Sequence, residues 1–306
     1  PLATRDATRM GMVTDKLTEQ YKQRPNVGMI IVEHSYVRRE GRVNNHQLGI
    51  YDESHIAGLG KLAHIIRENG SLAVIQISHG GSASKSHILG RSAFAPSEIK
   101  HPGRDIDEIP TALVKDDLKE LKRSFVKAAL RAKKAGFNIV ELHGAHGYLL
   151  NQFMSPLTNK RDDEYGGSLK NRMRFPLEIV RAIRGAVGRK YPIAYRLGCD
   201  DFLPGGIKIE DAVEASKMLE EAGVDLLDLS GGLTGYNVGD DEEGYFVYMG
   251  EAIKPEVDVP VIVTGGIETP EYANKIIKEG KTDLVGIGRA MLKDKNWAKK
   301  AVEKLK

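Results

Sequence analysis

Cysteine is nearly absent from the sequence, since Cys199 is the one cysteine among 306 residues. A single thiol excludes an internal disulfide, a cysteine-based zinc site and an iron-sulfur cluster held by this chain alone. Low cysteine use is typical of cytoplasmic proteins, and we expect a cytoplasmic location.

Long apolar runs and a large charge of one sign are also absent. No apolar run approaches the ~20 residues that cross a bilayer. The chain has 45 lysines and arginines against 42 acidic residues, for a formal net charge of +3. Because these charges are scattered, the sequence predicts no nucleic-acid partner and no membrane partner.

The sequence does have a repeated alternation of short apolar runs with segments of helical periodicity. Seven such runs, each bounded by turn residues, are VGMIIVE (27–33), LAVIQIS (72–78), FNIVELH (137–143), IAYRLG (193–198), VDLLDLS (224–230), PVIVTGG (260–266) and DLVGIG (283–288). Continuous apolar runs indicate strands buried on both faces of a parallel sheet, and the segments between them supply the helical crossovers.

Two predicted helices are followed by glycine, the residue that most readily adopts the left-handed conformation common at helix C-termini. They are LKELKRSFVKAALRAKKAG (118–136) and KIEDAVEASKMLEEAG (208–223). Length alone also fits two smaller domains, but no linker or low-complexity segment divides the chain. We therefore predict one α/β domain over residues 1–306, a (β/α)8 TIM barrel, with a doubly wound sheet as the alternative.

The strand count leaves the predicted barrel one strand short. We expect this first strand immediately upstream of Pro1, with PLATR (1–5) as its C-terminal end and first loop. Residues 79–117 form a long segment between the second and third runs, and we predict a lid-like insertion over a site. A surface insertion without function is the alternative.

Active sites of such barrels lie at the carboxyl ends of the strands. The residues at these ends are Glu33, His34, Gln76, His79, His143, His146, Arg196, Ser230, Gly265, Gly266, Gly288 and Arg289. The last two strands end in TGGI (264–267) and GIGRA (286–290), which predict a phosphate site built from backbone N–H groups and Arg289. Glycine is also needed in tight turns that bind nothing.

The stretch ELHGAHGYLLNQF (141–153) places two histidines three residues apart where a strand enters a loop. His143 and His146 can both donate to one ligand oxygen, and Tyr148 is a candidate proton donor. Zinc or iron would need a third ligand at recognisable spacing, so no metal is predicted. A structural role for both histidines is the alternative.

The segment ELHGAHGYLLNQFMSPLTNKRDDEYGGSLKNRMRF (141–175) resembles the signature region of the Old Yellow Enzyme family of FMN-dependent ene-reductases. The resemblance covers essentially the whole chain, including PLATR, VTDKLTEQY, GMIIVEHSYV, VIQISHGG, FAPS, AYRLG, TGGI and VGIGRAML. The His-x-x-His form is similar to bacterial ene-reductases and to the barrel of 2,4-dienoyl-CoA reductases. It implies an FMN enzyme in which NADH or NADPH reduces the flavin and an activated alkene is the small-molecule substrate.

The resemblance also implies roles for individual residues. His143 and His146 would bind the carbonyl or nitro oxygen of the substrate, and Tyr148 would protonate its α-carbon. Gln76 and Arg196 would contact the pyrimidine end of the flavin. The remaining cofactor-binding positions match those that hold the isoalloxazine and the phosphate, or lie at the strand ends beside them. They are Pro1, Ala3, His34, Ser230, Gly265, Gly266, Gly288 and Arg289.

Ala3 is a departure from the family, since relatives have Cys or Thr near the flavin at this position. The usual tuning contact is absent unless Thr4 substitutes for it. Two rival interpretations stay open: the barrel of a multidomain 2,4-dienoyl-CoA reductase-like enzyme, and a non-catalytic barrel that does not hold flavin. The sequence does not decide the alkene, the preferred nicotinamide or whether the chain forms a homo-oligomer.

Overall fold

The computed structural model describes residues 2–24, 27–236, 238 and 242–305. Its strands are β1 (Met29–Tyr36), β2 (Leu72–Ser78), β3 (Phe94–Ala95), β4 (Thr111–Ala112), β5 (Ile139–Gly144), β6 (Ile193–Gly198), β7 (Leu226–Ser230), β8 (Val261–Val263) and β9 (Leu284–Val285). Its helices are α1 (Asp15–Lys22), α2 (Ile56–Glu68), α3 (Ser86–Leu89), α4 (Lys115–Lys134), α5 (Leu149–Met154), α6 (Leu169–Val187), α7 (Ile209–Ala222), α8 (Val247–Ile253), α9 (Pro270–Lys278), α10 (Arg289–Lys293) and α11 (Trp297–Lys304).

The main sheet has seven parallel strands in the described ranges, in the order β1-β2-β5-β6-β7-β8-β9. This order follows the chain without reversal, so the sheet lacks the switch point of a doubly wound fold. The barrel prediction is confirmed, and each of the seven predicted strands is present. β1 and β9 are the edge strands. Within the described residues they do not pair with each other, and no further strand joins them.

Apolar residues fill two regions separated by the sheet. The larger lies between the strands and the surrounding helices, where α4 contributes Leu118, Leu121 and Phe125. Burial of one such side chain stabilises the fold by about 1.5 to 3 kcal/mol. The smaller region is a layer of inward-facing residues from successive strands: Val74, Ile139, Ala194, Leu226 and Ile262.

A polar layer follows the small apolar layer toward the carboxyl ends of the strands. Side chains on the same face of a strand recur every second residue. Two positions beyond Val74, Ile139, Ala194 and Leu226 are Gln76, Glu141, Arg196 and Asp228, and all four are buried. The register places Gln76 beside Glu141 and Arg196 beside Asp228. The barrel interior therefore changes from apolar to charged below its mouth.

The insertion at residues 79–117 has short elements of its own. It contains a 3-10 helix at Gly81–Ala83, the helix α3, and the parallel pair β3–β4, and its last three residues belong to α4. None of the helices described combines the length and apolar character that a bilayer crossing requires.

Candidate active site

The turn after β5 places two histidines and a tyrosine at the barrel mouth. His146 and Gly147 both have left-handed backbones, with φ of 57° and 67°. A non-glycine residue adopts this conformation at a cost, so the turn needs support. The His146 N–H donates to the Gly231 carbonyl at 3.0 Å, and the Gly147 N–H donates to Asn151 Oδ1 at 2.8 Å. Tyr148 then precedes α5 in an extended conformation.

This turn places the side chains of His146 and Tyr148 each beside His143. The ring centroid of His143 lies 5.0 Å from that of His146 and 4.8 Å from that of Tyr148, both nearly perpendicular. His34, from β1, lies 5.3 Å from the Tyr148 ring and 6.2 Å from the His143 ring. One face of the mouth is thus lined by imidazole and phenol groups.

The histidines of this group are neutral because they are desolvated beside cations, with His34 and His143 buried and His146 partly buried. Burial lowers the pKa of His143 and of His146 well below the usual range, and Arg196 lowers both further. Burial also lowers the pKa of His34 to about 3. A neutral imidazole has one N–H donor, so each ring can donate one hydrogen bond to a ligand oxygen.

Ser230 connects the histidine turn to Arg196. His146 Nε2 lies 2.7 Å from Ser230 Oγ, and Arg196 Nη2 donates to the same hydroxyl oxygen at 3.2 Å. His143 Nδ1 is buried and has no hydrogen-bond partner among the described residues. The serine fixes one imidazole edge, and the His143 nitrogen is left for a ligand.

The polar layer beneath the mouth contains groups of opposite charge, and some of their polar atoms have no hydrogen-bond partner. Gln76 Nε2 donates to Glu141 Oε1 at 2.7 Å, and Arg196 Nε lies 3.4 Å from Asp228 Oδ2. Glu141 Oε2, Asp228 Oδ1 and Arg196 Nε are buried without a hydrogen-bond partner in the described part of the chain. Burial and the nearby Asp228 raise the pKa of Glu141 to about 7.

The predicted phosphate turns lie together at the ends of β8 and β9. Gly265 and Gly266 have φ of 106° and 66°, which only glycine adopts freely. A Cβ on Gly286 would lie 2.4 Å from the Thr264 methyl, so the two turns pack closely. Arg289 is the first residue of α10, and its Nη2 donates to the Tyr245 hydroxyl at 3.0 Å.

A cavity of about 1060 Å³ connects the two glycine turns with Arg196 and His146 and continues between the edges of β1 and β9. The predicted cofactor residues on its lining are Ala3, Arg196, Gly265, Gly266, Gly288 and Arg289. His146 also lines it, whereas His34, Gln76, His143, Tyr148 and Ser230 are not on its lining. Pro1, the remaining predicted residue, lies outside the described residues.

The cavity fits a flavin mononucleotide in its chemistry. On the lining, the buried Arg196 suits an electron-rich ring edge, and two glycine turns with an exposed Arg289 suit a phosphate. The amide of Gln76, in the same polar layer as Arg196 but not on the lining, suits a ring with alternating donors and acceptors. Among the described residues, no cluster of three or more His, Cys, Asp or Glu side chains is placed to hold a metal.

Ala3 and Thr4 enter the site from the N-terminal segment. Both line the cavity, and the Thr4 N–H donates to Glu33 Oε2 at 2.7 Å. Glu33 is buried, and burial raises the pKa of its carboxyl group. The contact holds this segment against β1, whose next residue is His34.

Sequence reasoning missed Arg104 and Tyr236. The Arg104 guanidinium carbon lies 5.2 Å from the Tyr148 ring centroid, and the Tyr236 ring lies 5.7 Å from the His146 ring. Both belong to irregular segments without a motif. The prediction of a lid at residues 79–117 was the one signal that pointed to Arg104.

The chain belongs to the NADH:flavin oxidoreductase / NADH oxidase family, whose sequence profile matches residues 1–306. This confirms the resemblance to the Old Yellow Enzyme family, and FMN is the flavin of the family.

Two relatives illustrate the match. An NADH oxidase of Thermoanaerobacter brockii is 43% identical in an alignment of 312 positions, which covers 99% of this chain and 48% of the relative. An NADPH dehydrogenase of Bacillus cytotoxicus is 38% identical over 279 residues, 91% of this chain and 79% of the relative. The chain thus spans about half the length of the NADH oxidase.

Solved structures agree with the fold. A complex of 2-naphthoyl-CoA reductase with 2-naphthoyl-CoA has a TM-score of 0.93 at 28% identity, covering 98% of this chain and 48% of that one. An old yellow enzyme homologue from Zymomonas mobilis has a TM-score of 0.87 at 26% identity, covering 100% of this chain and 88% of that one.

Proposed function

We propose that the protein is an FMN-dependent ene-reductase that uses NADH or NADPH to reduce the C=C bond of α,β-unsaturated carbonyl or nitro compounds. The observation that carries this proposal is the placement of His146 and Tyr148 around His143, with ring centroids 5.0 and 4.8 Å from that of His143, next to a cavity whose lining suits a flavin. Residues 1–306 act as one domain, and the insertion at 79–117 covers the site.

Each catalytic residue has a role that follows from its protonation state. The neutral imidazoles of His143 and His146 donate N–H bonds to the carbonyl or nitro oxygen, which polarises the alkene. Burial raises the pKa of Tyr148, so the phenol is protonated near neutral pH and gives its proton to the α-carbon. Bound FMN, once reduced by NADH or NADPH, supplies the hydride for the β-carbon.

The other site residues hold the flavin in this proposal. Gln76 and Arg196 bind its pyrimidine end, and the cation of Arg196 stabilises negative charge on the reduced ring. The turns at Gly265–Gly266 and Gly288, with Arg289, bind the phosphate. Ala3, His34 and Ser230 would contact the isoalloxazine, and the assignment of Pro1 to the same group stays a prediction because Pro1 lies outside the described residues.

Three measurements on the purified protein test the proposal in sequence. We expect a flavin absorbance band, anaerobic bleaching of that band by NADH or NADPH, and its return on addition of an enone or nitroalkene. A colourless protein that FMN does not reconstitute would support the non-catalytic barrel instead. Bleaching without reoxidation by any alkene would limit the protein to an NAD(P)H:flavin oxidoreductase.

An enoyl or aryl thioester is a second candidate substrate. The similarity to 2-naphthoyl-CoA reductase, at a TM-score of 0.93, favours it. This candidate corresponds to the barrel of a multidomain 2,4-dienoyl-CoA reductase-like enzyme. Reoxidation by an enoyl-CoA at micromolar concentration, with simple enones inactive, would select this candidate over the first.

A further inference from the structure

The insertion at 79–117 contacts the catalytic turn through two side chains. His101 Nδ1 accepts from the Gly103 N–H at 3.1 Å, so its Nε2 carries the proton and donates to the Gly147 carbonyl at 2.8 Å. Arg104 Nη2 donates to the His146 carbonyl at 2.7 Å. Both carbonyls belong to the left-handed residues of the turn, so the insertion supports the conformation that orients His146 and Tyr148.

The insertion lies too close to the barrel at this point for a side chain at position 103. A Cβ on Gly103 would lie 2.3 Å from the Leu233 carbonyl oxygen. Glycine therefore lets the backbone approach, and the next residue, Arg104, is directed over the mouth. Its guanidinium carbon lies 5.2 Å from the ring centroid of Tyr148, which is itself buried.

Both cations near the Tyr148 phenol are arginines. The groups that face it are Arg104 and Arg5, the phenol of Tyr236, and the neutral imidazoles of His34 and His143. Burial raises the pKa of Tyr148, and Arg104 opposes that rise more strongly than Arg5 does. A phenolate at this position is thus compensated chiefly by one guanidinium.

We propose that Arg104 is a positioning residue that stabilises the phenolate of Tyr148 and thereby makes Tyr148 a more effective proton donor. The inference rests on the proposed function. The Tyr148 O–H bond breaks, its proton forms a C–H bond at the α-carbon, and its electron pair stays on the phenol oxygen beside Arg104. Bound, reduced FMN would supply the hydride that the β-carbon receives as the C=C bond is reduced, and a solvent proton restores the phenol.

The test separates the two half-reactions by stopped flow on the flavin-loaded protein. In Arg104→Met we expect reduction of the flavin by NADPH at the parent rate and reoxidation by an enone about three- to tenfold slower, because loss of one nearby cation raises a phenol pKa by about one unit and the rate of proton transfer follows that pKa with a slope of one or less. Arg104→Lys should recover much of the rate. Replacing Tyr148 by 3-fluorotyrosine, a more acidic phenol, should restore reoxidation in Arg104→Met.

Arg91 provides a matched control within the same insertion. Its guanidinium carbon lies 4.3 Å from the Phe94 ring centroid, so Arg91→Met removes a similar contact with a different ring. We expect parent rates in both half-reactions. If Arg104→Met reoxidises as fast as the parent, or if fluorotyrosine does not restore it, the role of Arg104 is overturned. If Tyr148→Phe also reoxidises as fast as the parent, the proposed proton donor falls with it.

Discussion

His146 has the site's most demanding backbone, because a residue with a Cβ rarely adopts a left-handed φ of 57°. The conformation lets its ring meet both Ser230 and the His143 ring. The sequence showed two histidines three residues apart but not this turn, since positive φ is not encoded by the histidine itself. The contacts from Gly231 and Arg104 that support it come from distant segments.

Replacing both His143 and His146 with alanine should leave FMN bound but slow enone reduction by about 100-fold, a typical loss for donors that stabilise a developing oxyanion. Binding of a phenol ligand should weaken as well. Stopped-flow reoxidation and ligand titration check this. His64→Ala serves as the control, since the His64 side chain is 64% exposed on α2. Unchanged turnover in the double variant would contradict the assignment.

Glu141 should remain mostly protonated at pH 6. Burial and Asp228 raise the pKa of its carboxyl group to about 7, against ~4.3 for an ordinary glutamate. Infrared spectroscopy should show a protonated-carboxyl carbonyl band at pH 6 that fades as the pH rises through about 7. The part of the band that fades near pH 7 should be lost in Glu141→Gln and kept in Glu120→Gln, an exposed site on α4. A parent spectrum without the band at pH 6 would contradict the raised pKa.

The elements of the barrel were predictable because strand and helix patterns are local. The apolar runs that correspond to β5 and β6 predicted strands, and glycine stops marked the ends of α4 and α7. β8 and β9 are shorter than predicted, because the glycine turns at their ends are not paired. The contacts of the insertion were not predictable, since they join residues far apart in sequence through irregular backbone.

The turn after β9 supports a prediction about flavin affinity. Arg289→Ala should weaken FMN binding by about 1.5 to 3 kcal/mol, the worth of one charge-assisted hydrogen bond to phosphate. Fluorescence titration of the apoprotein with FMN measures the change. Lys293→Ala is the matched control, because Lys293 lies on the same helix with a side chain 72% exposed. Equal affinities for Arg289→Ala and the parent would place the phosphate elsewhere or on backbone groups alone.

The whole sheet has two unpaired edges, β1 and β9, in the part of the chain that is described. The cavity runs between them and is lined there by Met29, Ile31 and Leu284. Unpaired edges next to apolar side chains favour pairing with a further strand. The expectation that an apolar strand upstream of Pro1 pairs with both edges stays a prediction, and intact-mass measurement of active, flavin-loaded protein checks it.

Buried histidines, and the partly buried His146, are spread over the mouth and its insertion. Burial lowers the pKa of His34 to about 3 and those of His79 and His101 to about 4, and it lowers the pKa values of His143 and His146 well below their usual range. An unfolded histidine titrates near ~6.5. Below that pH the unfolded chain binds more protons than the folded chain, so these histidines make the free energy of unfolding fall as the pH falls.

The buried carboxyl groups of Glu33, Glu141 and Asp201 have raised pKa values, which make the free energy of unfolding rise as the pH falls. A substitution at His79 separates the contribution of one histidine from theirs. His79→Asn keeps an acceptor for the Gly81 N–H, which now donates to His79 Nδ1 at 3.1 Å. Between pH 6 and pH 5, the free energy of unfolding of the parent should fall by about 1 kcal/mol more than that of His79→Asn. Urea denaturation at each pH measures the difference, with His64→Asn as the exposed control. Parallel pH profiles for His79→Asn and the parent would show that His79 becomes protonated in the folded protein as readily as in the unfolded chain.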